Sequence, residues 1–548
     1  MLDRDTNAGY TSFDCDTSIM TSIARVFPFL FFLIAALVCI TTMTRMVEEN
    51  RTLIGTLKAL GYGKGAIAAE FLLYSGTASL TGSILGFLAG SYILPKIIWY
   101  IYTVMYEITS VTFFFNGKLF VTTVLGYFAC AMLATWYVCW HELTEVPALL
   151  MRPKAPKPGK RILVERIGFI WNRVSFLQKV AIRNVVQYRQ RMLMMILGIG
   201  GCTALLVTGF GLYDSIAGIV DDQYGNIITY DYLISFTDPL TEASEAEFLD
   251  AYSDELDGTV TACSQSMDLF SGDSMKSATA IIPRDSSLEG FITLQHEDEP
   301  VSFPGSGEIV ICQNLADQLG IAPGDRVTVA DDDGNRMELT VSGIMENYVM
   351  NLMFIAPESF ADQLGAAPEM NSILAKAAEG QDLYELSAAV LDWENVSNVT
   401  VNQDTADSID NSLGSMIYVV YIVIVCSGAL AFIVLYNLTN ININERIREI
   451  ATIKVLGFYP RETSAYVMRE SLILTGMGAL AGLIAGKALH WYVLQQVALD
   501  AMYFPVVIRP MSYVYAVILT FVFALIINGV MSLRLKKINM AESLKSIE

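Results

Sequence analysis

Seven long apolar stretches limit what this chain can fold into: residues 23–43, 66–94, 119–140, 192–212, 416–438, 465–494 and 512–531. Each has about 18 residues or more with few charges, enough to cross the hydrocarbon of a bilayer as a helix. Lipid offers the peptide group no hydrogen-bond partner, so a spanning segment must pair its own N–H and C=O groups, as a helix does. No series of short alternating strands points to the other solution, a closed barrel. Composition agrees, with 53% of residues apolar and 17% charged, where soluble domains hold about 25% charged residues. Residues 1–20 are polar and include Asp3, Asp5, Asp14 and Asp16, so they do not read as a cleavable signal peptide.

The net charge of −21 is unevenly spread. Of 56 Asp and Glu and 35 Lys and Arg, residues 212–412 hold 38 acidic and 5 basic, leaving 18 acidic and 30 basic elsewhere. An acidic domain is attached to a basic membrane body. Nucleic acid is excluded as its partner, because a phosphate backbone is bound by Lys and Arg. Short cytoplasmic loops carry the excess of Lys and Arg. Between His141 and Arg191 lie Arg152, Lys154, Lys157, Lys160, Arg161, Arg166, Arg173, Lys179, Arg183 and Arg189 against Glu142, Glu145 and Glu165, which makes this side cytoplasmic. Threading the spans from that anchor puts 48–64, 444–461 and 534–548 inside, and the acidic domain and the N-terminus outside. Seven spans with an external, uncleaved N-terminus make an awkward topology.

An internal repeat accounts for it. Thr56-Leu57-Lys58-Ala59-Leu60-Gly61-Tyr62 returns as Thr452-Ile453-Lys454-Val455-Leu456-Gly457-Phe458, each time after a charged run and before a Gly-rich span. Each copy reads as span, charged loop, Gly-rich span, external loop, last span and basic exit. The second copy adds a preceding span and the acidic domain, so by symmetry the first is expected to have lost that module at its N-terminus. The expected fold is an α-helical polytopic membrane protein of seven spans with one extracytoplasmic mixed α/β domain. Residues 1–20 are the remnant of an external stalk, 21–141 the first three-span unit and 142–191 a basic cytoplasmic linker. Residues 192–213 are a span, 214–412 the acidic domain, 413–533 the second three-span unit and 534–548 a cytoplasmic tail. Within the acidic domain, 308–312 reads as a strand, 314–319 as a helix and 320–325 as a turn. Residues 326–330 and 337–341 alternate like hairpin strands around 331–335.

As a helix, residues 49–60 place Leu53, Ile54, Leu57 and Leu60 in one apolar stripe, with Glu49, Arg51, Thr52 and Lys58 mostly elsewhere. Such a helix either docks in a groove on a partner or lies on the membrane surface; its duplication favours a two-fold partner. Gly82, Gly86 and Gly90, and likewise Gly478, Gly482 and Gly486, fall four apart on one helix face, the spacing of tight helix packing. Glu70 and Glu470 sit near the cytoplasmic ends of the same spans, within reach of solvent or of Arg469. Few charges enter the span middles, which argues against a proton-driven carrier.

Other chemistry is thin. Cys39, Cys130, Cys139, Cys202 and Cys426 lie in or beside apolar runs and read as packing residues. Cys263 and Cys312 lie in the acidic domain, where two reduced thiols are expected and a disulfide stays open. Asp331, Asp332 and Asp333 lack the spacing of a calcium loop and read as a hairpin turn. His141, His296 and His490 make no metal spacing. There is no phosphate loop or nucleophile elbow, so no catalytic, cofactor or metal site is expected in this chain.

Residues 51–62 and 448–458, the Gly-rich spans after them and the exit Pro147-Ala148-Leu149-Leu150-Met151-Arg152-Pro153 resemble the FtsX-like permease domain, present twice. The strand, helix and turn run of 308–341 is similar to the external core domain of MacB-type ABC permeases. The resemblance implies a bacterial plasma-membrane permease subunit of the duplicated, Gram-positive type. ATP and Mg would be held by a separate cytoplasmic ABC ATPase dimer. It carries the coupling role onto Glu49, Arg51, Thr56, Lys58 and Gly61, and onto Glu445, Arg448, Thr452, Lys454 and Gly457. It makes 176–191 an amphipathic elbow helix. Implied partners besides the ATPase are membrane lipids and an extracytoplasmic protein or second permease chain. The implied work is export or extraction of a lipid, peptide or lipoprotein. The alternatives are a mechanotransmitting signal transducer that regulates a cell-wall hydrolase or senses an antimicrobial peptide, and a receptor independent of any ATPase.

Overall fold

The computed structural model describes residues 8–105, 115–151, 179, 183, 189–272, 274–285, 287–297, 299–331, 333–445, 447–457, 459–496 and 502–536. The expected elbow at 176–191 and tail at 534–548 lie largely outside these residues. Two compact units divide the chain: Met1–Ile19, Ser215–Ile417 and Val497–Val506 form one, and Met20–Asp214, Tyr418–Gln496 and Val507–Glu548 the other.

The first half of the membrane unit contains α1 (Ala8–Glu49), α2 (Arg51–Ala59), α3 (Lys64–Met105), α4 (Gly117–Leu143) and α5 (Pro147–Leu150), followed by α6 (Arg189–Ala217). After the external domain, whose helices are α7 (Ile219–Asp222), α8 (Glu242–Ala251), α9 (Gln313–Leu319), α10 (Pro357–Leu364) and α11 (Leu383–Leu391), come α12 (Asn402–Glu445), α13 (Ile447–Val455), α14 (Pro460–Gln496) and α15 (Pro510–Lys536). Among the described residues, seven helices are long and apolar enough to cross a membrane, and each expected span lies inside one of them. Several run well past the apolar stretch: α1 has 42 residues and α12 has 44. At about 1.5 Å per residue such helices are roughly twice as long as the hydrocarbon is thick. Helix continuation needs intrachain hydrogen bonds, which polar residues support as well as apolar ones.

The repeat is exact in spacing. From Thr56 to Gly90 each position has its counterpart 396 residues later, ending at Gly486. Each short helix that follows the first long helix of its half is closed by a glycine in the left-handed region, Gly61 at φ +91 and Gly457 at φ +93. The capping bonds match too: Gly61 N donates to Lys58 O and Gly457 N to Lys454 O, both at 3.1 Å. A side chain would be strained at these two positions.

The external unit is built on a nine-stranded sheet in the order β11-β1-β10-β2-β3-β9-β6-β8-β7. Its strands are β1 (Tyr232–Phe236), β2 (Leu256–Ser271), β3 (Ser274–Pro283), β6 (Glu308–Cys312), β7 (Arg326–Ala330), β8 (Arg336–Met345), β9 (Leu352–Ile355), β10 (Ser372–Ala377) and β11 (Val396–Val401); β4 (Gln295–His296) and β5 (Glu299–Pro300) form a separate ribbon. The long β2 pairs with β10 at its start and with β7 near its end, so six strands close on themselves while β10, β1 and β11 extend from β2. Burial alternates along β8, as expected for a strand with one face on a core. That core includes Tyr232, Phe248, Leu269, Ile311, Leu339 and Met353. The β7–β8 turn is the expected hairpin, and the Asp331 carboxylate accepts from Asn335 N at 2.8 Å and Asn335 Nδ2 at 2.9 Å. Both oxygens are thus engaged in holding the turn.

The chain enters this sheet through β1 and leaves it through β11, and the two are antiparallel neighbours with Tyr232 opposite Val401. Asp231 secures this end: its N–H donates to Ala375 O, its carbonyl accepts from Asn402 N, and its Oδ2 accepts from Ala377 N.

Cys263 on β2 and Cys312 on β6 are free, buried thiols. Burial pushes the Cys263 thiol up to about 11 and raises that of Cys312. Because the thiolate is the nucleophile, iodoacetamide at pH 8 is expected to leave both unlabelled in the folded protein and to label both after denaturation, as read by peptide mass spectrometry.

Candidate functional site

The cytoplasmic element of the first half is held against its neighbours by a small apolar core. Val47, Ile54, Ile67, Phe71, Val138 and Leu150 are buried together. Helices α2 and α5 touch closely, since a Cβ on Gly55 would lie 2.9 Å from Met151 Cγ and 3.0 Å from Leu150 Cβ. The expected apolar stripe is divided: Ile54 is buried, whereas Leu53 is 49% and Leu60 71% exposed.

The polar residues of α2 bind its own chain. Arg51 forms an ion pair with Glu145. Lys58 Nζ donates to the carbonyls of Leu143, at 2.9 Å, and Glu145, where α4 ends and leaves carbonyls without helical partners. Burial lowers the Lys58 pKa, with Lys64 adding to that and Glu145 opposing it. Thr56 Oγ1 donates to Thr52 O at 2.9 Å, and Glu49 pairs with Arg45 at 3.0 Å. Among the coupling candidates, then, Arg51 and Lys58 fix α2 to the end of α4, and Gly61 closes it. In the second half Thr452 and Lys454 lie on α13 and Gly457 closes it. Glu445 and Arg448 lie on the helical backbone, and their side chains are outside the described residues. Leu456, the counterpart of Leu60, is 72% exposed. Each half therefore presents an apolar tip at the same place, beside a glycine turn of the same shape.

The glycine faces of the two halves differ. A Cβ on Gly478 would meet Ile199 Cβ at 2.7 Å, one on Gly482 would meet Thr203 Cβ at 2.6 Å and Gly200 O at 2.7 Å, and one on Gly486 would meet Val207 Cβ at 2.6 Å. Only hydrogen fits there. Thr208 Oγ1 donates to Gly486 O at 3.3 Å, and the hydroxyls of Thr203 and Thr520 are 3.2 Å apart. Around Gly82, Gly86 and Gly90 the described residues place nothing within 4 Å. The acids of these helices differ as well. Glu70 is exposed, but Glu470 is buried, so of the two settings expected for it, solvent or a neighbour such as Arg469, solvent does not reach it.

A third element was not anticipated. Helix α7 passes into a π-helical turn, Gln223–Ile227, whose Gln223 is fully buried. Gln223 Nε2 donates to Asn347 Oδ1 and its Oε1 accepts from Tyr348 N, both at 2.8 Å. Asn347 Nδ2 donates to the carbonyls of Val349 and Met350 at 2.7 Å. The same segment receives the loop that follows α14: Tyr503 N donates to Tyr348 O at 2.9 Å, Met502 bridges Val349, and the Tyr348 and Tyr503 rings stack 6.3 Å apart. Burial raises the Tyr348 phenol and pushes that of Tyr503 up to about 12, so both stay neutral. Residues 347–350 thus join the root of the external domain to the last external loop. Among the described residues no cluster of His, Cys, Asp or Glu is placed to hold a metal ion.

A family model for the FtsX-like permease C-terminal domain matches residues 25–146 and again 421–540, and one for the MacB-like periplasmic core domain matches 192–392. No curated protein matches the chain. Among solved structures, the extracellular domain of the noncanonic ABC-type transporter YknZ from Gram-positive bacteria is 14% identical, covering 31% of this chain and 100% of that one, with a TM-score of 0.22. The periplasmic region of MacB from Actinobacillus actinomycetemcomitans is 12% identical, covering 34% of this chain and 94% of that one, also with a TM-score of 0.22.

Replacing Gln223 by Leu leaves the Asn347 Oδ1 and the Tyr348 N–H buried without that partner, at about 1–3 kcal/mol each. Gln223→Leu is expected to cost about 2–4 kcal/mol locally and to speed amide hydrogen exchange at Tyr348, measured in the purified protein.

Proposed function

Because the chain belongs to the permeases that combine FtsX-like domains with a MacB-like external core domain, we propose that it is the transmembrane subunit of an ABC-type machine worked by a separate cytoplasmic ATPase dimer. The protein is a multi-pass plasma-membrane protein with its acidic α/β domain outside. Its family's domains are not themselves catalytic, so the chemistry of ATP would belong to the partner. The observation that carries the proposal is the pair of cytoplasmic helices 396 residues apart, each closed by a left-handed glycine and each with an exposed leucine, Leu60 and Leu456. A two-fold ATPase dimer offers two equivalent grooves, and two equivalent tips fit it. Arg51 and Lys58, bonded to the end of α4, would pass its motion into the membrane helices.

In this reading ATP-driven movement at the tips shifts the external domain, which expels or extracts a lipid, peptide or lipoprotein at the outer face. The mechanical alternative, in which that movement regulates a cell-wall hydrolase or reports an antimicrobial peptide, draws support from the Gln223 and Tyr503 joints. They tie the external domain to more of the chain than its two covalent connections.

Leu60→Asp combined with Leu456→Asp places a charge on each exposed tip without disturbing the buried contacts of Ile54. With a cytoplasmic ABC ATPase co-expressed, the double variant is expected to reduce ATPase recovered with the purified membrane protein at least tenfold, while expression is unchanged. Recovery equal to wild type would sink the proposal.

A further inference from the structure

One cavity of the external unit sits where the chain enters and leaves the sheet. Its volume is about 100 Å³, and its polar wall consists of Tyr224, Thr229, Tyr230, Asp231, Asn402 and Gln403. Tyr224 belongs to the π-helical turn, Tyr230 and Asp231 lead into β1, and Asn402 and Gln403 open α12, all within the external unit. At about 30 Å³ per water molecule there is room for a group of a few heavy atoms and not for a drug-sized ligand. Charge and hydrogen bonding narrow the choice. The wall carries a carboxylate and no cation. Side-chain donors in it are given away: Thr229 Oγ1 donates to Gly290 O at 2.8 Å and Gln403 Nε2 to Asp407 Oδ1 at 2.9 Å. Side-chain acceptors remain. Gln403 keeps its Oε1, and Asp231, whose Oδ2 accepts from Ala377 N at 2.8 Å, keeps Oδ1. Lys376, next to Ala377, holds its own ammonium over the Phe291 ring, 5.5 Å from the centroid. Burial pushes the Tyr230 phenol up to about 12, so it stays neutral, and the rings of Tyr224 and Tyr230 add aromatic surface of the kind that attracts cations.

We propose that this cavity binds a primary ammonium group, with the Asp231 carboxylate as its counter-ion, Gln403 Oε1 as a hydrogen-bond acceptor and the Tyr224 and Tyr230 rings as aromatic walls. Phosphate and carboxylate groups are repelled by Asp231 and find no cation on the wall. A quaternary ammonium suits the rings but brings no N–H to the acceptors, whereas a primary one brings three. Two sources carry such a group: the aminoethyl headgroup of a membrane lipid, and a free amine such as ethanolamine. Bound here, it touches the incoming connection through Tyr230 and Asp231 and the outgoing one through Asn402 and Gln403. It therefore reinforces the bond that already joins them, from Asn402 N to Asp231 O at 2.8 Å.

The test titrates the full chain with ethanolamine in amine-free buffer and reads amide hydrogen exchange at Asn402. Nanodiscs of phosphatidylglycerol alone are compared with nanodiscs that also contain phosphatidylethanolamine. Sodium and tetramethylammonium chloride at equal concentration serve as controls. In phosphatidylglycerol discs ethanolamine is expected to slow exchange at least threefold, and neither control to do so. Asp231→Asn keeps an oxygen for Ala377 N and loses the charge; it is expected to raise the ethanolamine concentration for half effect at least tenfold. Tyr230→Leu is expected to raise it at least fivefold and Tyr230→Phe, which keeps the ring, to leave it within twofold of wild type. Slowed exchange in phosphatidylethanolamine discs before any ethanolamine is added assigns the site to the lipid headgroup, and equal titrations in both discs assign it to the free amine. The proposal is overturned if ethanolamine acts no more than sodium, if tetramethylammonium matches it, or if Asp231→Asn or Tyr230→Leu responds as the wild type does.

Discussion

Where α6 meets α14, the glycines of α14 contribute no side chains and leave the side chains of α6 to pack on bare backbone, and the placement of both helices follows from that. Water does not drive helices together inside a bilayer, so a contact there must come from dispersion at short range and from hydrogen bonds across the interface. Gly478, Gly482 and Gly486 supply the first, and the Thr208 hydroxyl on Gly486 O the second. The effect is visible in how deeply the helices sit: 67% of the most apolar window of α6 is buried, against 17% for α3. Helix α6 is the centre of its half, with α12 also pressed on it where Gly198 meets Leu438 and Gly209 meets Ile424.

That centre has continuity with the outside. Past Ala217, α6 gives way to α7 and the π-helical turn whose Gln223 is bonded to Asn347 and Tyr348. Helix α12 runs unbroken for 44 residues from the end of β11 to Glu445, two residues before the start of the cytoplasmic α13.

Much of this was legible in the sequence. Span positions follow from hydropathy, and the β7–β8 hairpin from alternation around a Gly-containing turn. The paired short helices follow from the return of Thr-x-Lys-x-Leu-Gly at Thr56 and Thr452. Helix lengths did not follow, because residues such as Asp14 and Asp404 end an apolar run without ending a helix. The difference between the glycine faces could not be read either: Gly82-x3-Gly86-x3-Gly90 and its counterpart are the same local pattern, and whether another helix lies on it is a tertiary fact. Sequence placed Arg51 and Lys58 away from the apolar stripe but gave no sign that both reach the end of α4. Gln223, Asn347 and Tyr503 lie far apart in a polar turn, a strand end and a short loop, so no periodicity marked them. Their only signal was chemical, an amide-bearing residue near the junction of a span and a domain.

The way the chain passes through the external sheet decides which motions that sheet can survive. Strand β11 is at the edge, and its last residue faces the first residue of β1, so both covalent connections leave from one corner. Drawing the connections apart would load the Asp231–Asn402 bond and then the Tyr232–Val401 rung, and peel β11 away one bond at a time. Moving them together loads no rung against another and carries the sheet along whole. The domain is thus stiff to a shared tilt and fragile to a splay, a mechanical filter written into strand order.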